Sequence, residues 1–339
     1  MSAPVRRATR TDVARLAGTS TAVVSYVINN GPRRVSPERR ERVLAAMKQL
    51  GYQPNAIARS LSSTETMTLG MIVPNISNVF FAELALAVEV AALRRGRLLF
   101  LGNSNESHER ESAYLMSFLQ QRVDGIVIVG VTRGSSMQKA IQAGTSVVVL
   151  DRELAGSGAR TVSIDHRRAA YEATSHLLSH GHRRVACLTG PADQVVAEER
   201  RQGWADAIRV VGLDPERQRT IHAPFSLEGG VQGFEELSGT EDGLPTALFA
   251  SSDEQARGVI AAAGARGMGI PADLAVASVD GTRGGEFSNP PLTSVQQPFA
   301  ELAELAIGAV LEPAGGADPG HTLVATTLRV RRSCGCSRR

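Results

Sequence analysis

The chain has 339 residues, 42% hydrophobic and 21% charged, the make-up of an ordinary water-soluble protein with room for two domains or for a small module and a large one. The basic N-terminus lacks an apolar core and no apolar run reaches about 18 residues, so neither a signal peptide nor a membrane span is expected and a cytoplasmic location is. The net charge of +3 conceals an asymmetry, because residues 1–61 carry eleven Arg or Lys against three Asp or Glu while the remainder carries 26 against 31. A basic head on a mildly acidic body is the distribution of a protein whose head meets a polyanion.

In chain order, residues 9–50 read as three short helices. "TRTDVARLAG" offers Thr9 or Thr11 as N-cap, Val13 and Leu16 at i, i+3, and Gly18 as the stop. "TSTAVVSYVINNG" starts at Ser20, puts Val24 and Val27 or Ile28 on one face, and closes on Asn-Asn-Gly. "VSPERRERVLAAMKQLG" has Ser36 as cap, Pro37 at N1, Val43, Met47 and Leu50 as an i, i+4, i+7 stripe, and Gly51 at the end. Helix, short glycine-containing turn, helix is a helix-turn-helix pattern, whose second helix enters the major groove of DNA.

The stretch "TDVARLAGTSTAVVSYVINN…VSPERRERVLAAMKQLGYQPNAIARSL" resembles the DNA-binding head of the LacI/GalR family of bacterial repressors. The resemblance is dense over the head and looser over the rest of the chain. It implies that Thr21, Ala22 and Tyr26 occupy base-reading positions, and that Ser20, Ser25 and Asn29 contact phosphate or support the helix. Tyr26 departs from the pattern, since the family usually has Arg there. Arg pairs bidentately with guanine and Tyr cannot, so a different operator is expected.

"PNAIARSLSS", residues 54–63, begins like a helix but runs out of helix-forming sequence after about two turns, too short to stand alone in water. The resemblance identifies Asn55 to Leu61 with a hinge helix that folds as a pair in the minor groove at the operator centre. Leu61 would be the apolar wedge that unstacks a base step, and Ala58 the small residue that permits close approach.

From residue 67 short β-branched runs alternate with helical stretches. The expected strands are "TLGMIVP", "LLFLGN", "GIVIVG", "SVVVLD", "TVSID", "RVACLTG", "ALFAS" and "AVASVD", with helices such as "FFAELALAVEVAALRRG", "ERESAYLMSFLQQR" and "RRAAYEATSHLLSHG" between them. This is βαβ periodicity, hence mostly parallel sheets covered on both faces. The family's body is similar to periplasmic sugar-binding proteins, with two lobes and one ligand between them. The expected organisation is therefore a small all-α helix-turn-helix head (1–53), a hinge helix and linker (54–66), and an α/β periplasmic-binding-protein-like body (67–339). One lobe takes about 67–165 plus 298–325 and the other about 166–297 plus 326–339.

Carried over motif by motif, the resemblance places Phe80 and Phe81 ("NVFFAEL"), Asp151 ("VVLDRE"), Arg200 ("AEERRQGW"), Phe225, Ser252 and Asp253 ("ASSDEQARG"), Asp280 ("VASVDG") and Gln297 ("VQQPF") at the effector site. Ser252 stands where Asn is common. An Arg and carboxylates among aromatic faces suit a hydroxyl-rich small molecule, a sugar or derivative first and a purine or nucleoside second.

The spacing of His176, His180 and His182 could bind metal at a helix end, but the family shows a similar H-L…G-H-R-R segment without metal. "CGC" at 334–336 has no second Cys pair and reads as a feature of the tail, so no metal and no cofactor are expected. The three cysteines do not make a disulfide framework, in keeping with a reducing compartment. Phosphate-loop, dinucleotide and hydrolase motifs are absent from the sequence, and the expected protein is no enzyme. The expectation is a homodimeric regulator that binds a pseudo-palindromic operator; a solute-binding protein would lack the basic head, and a sugar-modifying enzyme would need a catalytic constellation.

Overall fold

The computed structural model describes residues 8–29, 34–53, 65–130, 135–151, 158–239, 243–312 and 320–336. The chain divides into two compact units, Met1–Thr66 and Met67–Arg339.

The first unit holds helices α1 (Arg10–Leu16), α2 (Thr21–Asn29) and α3 (Pro37–Leu50). Thr9, rather than Thr11, caps α1, and Asp12 reaches back to the Thr9 backbone to complete a capping box. Gly18 leaves α1 at a φ of +60°, a left-handed turn that a residue with a Cβ enters at a cost, so the chain can swing directly into α2. Ser20 Oγ then accepts from the Val23 amide, and Ser36 Oγ from the Arg39 amide. Val13, Ala14, Ala17, Val24, Val27, Val43 and Ala46 form the core of this unit. The expected stripes are corrected in part: Leu16 and Leu50 are exposed. On so short a helix as α1 the inward face is narrow, and Ala14 and Ala17 fill it beside Val13.

The second unit contains two six-stranded sheets. The first comprises β1 (Thr68–Val73), β2 (Leu98–Asn103), β3 (Gly125–Val129), β4 (Ser146–Leu150), β5 (Arg160–Ile164) and β11 (His321–Val324) in the order β11-β5-β4-β3-β1-β2. The second comprises β6 (Val185–Thr189), β7 (Thr220–His222), β8 (Ala247–Ala250), β9 (Ala275–Asp280), β10 (Thr293–Gln296) and β12 (Thr327–Arg329) in the order β12-β10-β9-β8-β6-β7. The two lobes thus repeat one doubly wound topology, each finished by a strand from the end of the chain. Among the described residues the strand pairings are parallel except β10 with β12.

The inner strands are apolar on both faces because helices cover both. In β6, Val185 and Cys187 enter one cluster while Ala186 and Leu188 enter another, and Ala247 and Phe249 alternate with Leu248 and Ala250 in β8. Helices α4 (Val79–Arg94), α5 (His108–Gln120), α6 (Ser135–Gln142) and α12 (Phe299–Leu311) pack on the first sheet. Helices α7 (His166–Ser179), α8 (Val195–Val210), α9 (Leu227–Ser238) and α10 (Asp253–Ala265), with the short α11 (Arg283–Glu286), pack in the second lobe. The chain passes between lobes after β5, after β10 and between β11 and β12. Among the described residues no helix is long and apolar enough to cross a membrane.

Candidate functional site

Two surfaces carry the polar groups expected to bind partners. On α2, Val24 and Val27 point into the head while Ser20, Thr21 and Ala22 are exposed and Ser25 and Tyr26 half-buried. At 100° per residue, positions 21, 22, 25 and 26 share the face opposite the buried valines, as a helix lying in a groove requires. Asn29 ends α2, and its side chain lies outside the described residues, as do Asn55, Ala58 and Leu61. Arg10, Arg34, Arg39 and Arg42 are exposed on the same unit.

The second surface is a cavity in the body, at the carboxyl ends of β1, β3, β4, β6, β8 and β9, where doubly wound sheets take ligands. It measures about 900 Å³ including its mouth, room for one small molecule. Phe80 is packed edge-on against Phe81 at 5.1 Å and Phe299 at 5.5 Å, which fixes one wall. Phe225 faces the cavity from the other lobe, its ring centroid 5.9 Å from the Arg200 guanidinium carbon. Asn78 joins the lobes: its Oδ1 accepts from the Phe80 amide and caps α4, while its Nδ2 donates 2.9 Å to the Phe225 carbonyl.

Arg200, on α8, is buried and already engaged. It donates to the Ser251 carbonyl and to His166 Nδ1, and its Nη2 lies 3.4 Å from Asp280 Oδ1. With Nδ1 accepting, the imidazole proton of His166 sits on Nε2 and is donated 2.6 Å to the Asp151 carbonyl. Burial, with the Arg200 charge second, brings His166 down to about 3, so it is a neutral link between Arg200 and the end of β4. Burial pushes the Asp280 carboxyl up, and the Arg200 charge opposes that shift. Asp151 and Asp280 both lie at positive φ, 74° and 128°. Non-glycine residues hold such conformations at a cost of about 1–3 kcal/mol each, and they concentrate at binding sites. Together the site offers a planar cation, two carboxylates and two aromatic walls: groups that orient hydroxyls or ring nitrogens, with no nucleophile–base pair among them.

The model for "Bacterial regulatory proteins, lacI family" matches residues 9–55, and one for a "Periplasmic binding protein-like domain" matches residues 174–334. Catabolite control protein A of Priestia megaterium is 34% identical over 298 residues, 87% of this chain and 89% of that protein. The chain belongs to the lacI family of bacterial regulatory proteins. Among solved structures, the lac repressor dimer bound to operator and the anti-inducer ONPF aligns with a TM-score of 0.86 at 26% identity, covering 97% of this chain and 99% of that one. The complex of the transcriptional regulator CelR with cellobiose aligns with a TM-score of 0.71 at 31% identity, covering 96% and 100%. This lacI-family chain is a DNA-binding transcriptional regulator and not an enzyme.

Of the residues expected at the effector site of this lacI-family body, Phe80, Phe81, Asp151, Arg200, Phe225, Ser252 and Asp280 line the cavity. Two expectations are corrected. Asp253 stands behind the wall, where its carboxylate accepts from the Thr282 amide and hydroxyl, Ser278 Oγ and Ser294 Oγ at 2.6–2.8 Å. Gln297 donates 3.0 Å to Asp280 Oδ1 and orients that carboxylate from outside the lining. Sequence reasoning missed His166, Asn78, Glu106 and Gln194. Asn78 carried a readable signal, an N-cap before the "VFFAEL" run, whereas His166 matters only through a residue 34 positions away.

Proposed function

We propose that this regulator is a repressor that binds a pseudo-palindromic operator as a homodimer and responds to a sugar or sugar derivative held between the lobes of its body. The observation that carries the reading is the buried Arg200–Asp280 pair, presented to the same cavity as Phe81 and Phe225. A guanidinium and a carboxylate fix hydroxyl groups in plane, and aromatic rings cover the apolar face of a pyranose or furanose. Likeness to a cellobiose-bound regulator supports the same class of guest.

Dimerisation is supported by an exposed apolar face. Leu86, Val90 and Leu93 recur at i, i+4, i+7 on α4 and remain open, 63% for Leu86, beside Leu98, Phe100 and Leu101 on edge strand β2. An apolar face next to an open strand edge is what a second copy would cover, and the lac repressor structure it resembles is a dimer on operator. Thr21, Ala22 and Tyr26 then read each half-site, with Ser20, Ser25 and Asn29 on or near phosphates. Asn55, Ala58 and Leu61 form the central minor-groove contact, as the resemblance implies. The effector biases the pair of lobes, and with them operator affinity, by a coupling of about 1–3 kcal/mol. Operator affinity falls steeply with salt, because phosphates supply much of it.

Thermal-shift screening of the full chain against sugars and nucleosides, followed by gel shifts on genomic fragments with each hit, tests this. A sugar that raises the melting temperature and changes operator affinity is the expected result. Hits confined to nucleosides would replace the sugar with the purine reading, and failure to shift any fragment would end the operator reading. Leu61→Ala is expected to weaken operator binding far more than non-specific binding.

A further inference from the structure

Outside the cleft, the structure draws together two stretches that are about 160 residues apart in sequence. His176 lies on the last turn of α7 and His180 caps that helix, while Cys334 and Cys336 come from the tail beyond β12. One donor atom from each of the four lies within 4.8 Å of every other. His176 Nε2 is 3.2 Å from Cys334 Sγ and 3.7 Å from Cys336 Sγ, and His180 Nε2 is 3.2 Å from Cys336 Sγ.

We propose that His176, His180, Cys334 and Cys336 form a tetrahedral structural zinc site that fastens the C-terminal tail to the end of α7. Zinc binds thiolate sulfur at about 2.3 Å and imidazole nitrogen at about 2.0–2.1 Å, so the donors around one tetrahedral ion stand roughly 3.4–3.8 Å apart. Of the three separations, 3.7 Å falls within that range and the two of 3.2 Å lie slightly below it. Two thiolates with two imidazoles are a soft donor set that favours zinc over magnesium or calcium, and four protein ligands close the site to substrate.

The surroundings fit the same purpose. Thr293 Oγ1 donates to Cys334 Sγ at 3.1 Å, the kind of outer contact that orients metal ligands. Gly335 sits at a φ of +90°, which turns both cysteine side chains of the Cys-Gly-Cys segment toward the helix. Just upstream, Ser333 Oγ donates 2.7 Å to the Val276 carbonyl and accepts from the Thr293 amide, so the tail reaches the ligands already stitched to β9 and β10.

His182, the third histidine of the cluster seen in the sequence, stands apart beside Thr246 Oγ1. The expectation of a metal-free tail is therefore revised by a juxtaposition that linear spacing could not display. The same helix begins at His166, on the Arg200 side of the cavity. An ion at its far end, ten residues and about 15 Å along, would hold α7 in place without touching the effector.

The test is metal analysis of full-length protein purified under reducing conditions, without chelator and without a histidine tag. Wild type is expected to carry about one zinc per chain, and Cys336→Ser and His180→Ala, both at residues that are not fully buried, to fall to background. Cobalt(II) exchanged into wild type should show the intense visible bands of tetrahedral coordination with a sulfur-to-metal charge-transfer band, absent from both variants. Chelator should lower the melting temperature of wild type and leave the variants unmoved. Zinc no higher in wild type than in the two variants, a pale octahedral cobalt spectrum, or a Cys334–Cys336 disulfide in protein from a freshly reduced lysate would each overturn the proposal.

Discussion

On the outward face of α2, Ser20, Thr21 and Ala22 stand in solvent, and the packing of the head rests on Val24 and Val27 behind them. In the cleft, Arg200 and Asp280 are buried and bonded to each other, to His166, to the Ser251 carbonyl and to Gln297 before any guest arrives. Thr21 and Ala22 stay out of the head's apolar core and can change at little cost to the fold, while Ser20 also caps α2. The second surface is held in place beforehand, and the residues that line it are also structural ones. A DNA duplex supplies its own rigid pattern of donors, acceptors and phosphates, so the reader needs only a correctly faced helix. A small flexible-hydroxyl ligand offers little area, so its site must hold charges in position in advance.

The comparison predicts that changes behind the cleft cost the most stability. Asp253→Ala removes the acceptor of four hydrogen bonds from Thr282, Ser278 and Ser294 and should lower unfolding free energy by about 4 kcal/mol. Denaturant melts followed through Trp204, the sole tryptophan and fully buried, measure it. A loss under about 1 kcal/mol would show that the network is slack and the contrast unfounded. Arg200→Met comes next. Breaking the buried pair leaves Asp280 without its cation, at a cost of about 3 kcal/mol, and should abolish the effector response. Operator affinity without effector should stay within about twofold of wild type. A retained effector response would remove Arg200 from the site.

How much of this was open to sequence reasoning follows the same divide. The head was readable because caps, valine spacing and helix face all lie within about twenty residues of one another, and Thr9, Ser20 and Ser36 cap their helices as their positions suggest. In the body the eight expected runs are all strands, seven of them well buried and so apolar, with β2 an exposed apolar edge. The four strands missed, β7, β10, β11 and β12, have only three or four residues. Three of them sit at sheet edges, where little apolar pattern is demanded. Arg200 and Asp280 were reachable through local motifs. Asp253 belongs to an equally clear motif, but which way its carboxylate points is decided by Thr282 and Ser294, supplied from later in the chain.

A pH titration sharpens the contrast further, with a smaller effect. The His166 imidazole titrates near its ordinary 6.5 in the unfolded chain and at about 3 in the fold. Between those values the unfolded chain holds a proton that the folded chain lacks, so this stability is full above pH 6.5 and is lost as pH falls toward 3. The slope is at most about 1.4 kcal/mol per pH unit. Asp280 works in the opposite sense, since its raised carboxyl costs stability as pH rises above the ordinary aspartate range. The difference between wild type and His166→Gln isolates the first contribution: the variant should lose this part of the acid dependence and keep the rest. Parallel curves for the two proteins would mean that the histidine is solvated or protonated in the fold. No comparable acid limb is expected from α2, which carries no titratable acid or histidine among residues 21–29.

The smallest stability effect is expected at Tyr26, and it is the sharpest test of the head. Tyr26 is half-buried on the side of α2 opposite Val24. A phenol has one hydroxyl and an apolar ring, so it can touch a thymine methyl or accept and donate singly, but it cannot fork onto guanine. Tyr26→Ala should therefore change urea unfolding of the head by no more than about 0.5 kcal/mol. It should shift discrimination among half-sites by about 1–3 kcal/mol at one base position, read by selecting operators from a randomised library. Loss of non-specific affinity should be slight, since no phosphate charge is removed. If the same sequences are selected while the head melts earlier, Tyr26 is a packing aromatic. The separation of recognition from stability would then fail on the surface where it is expected to be cleanest.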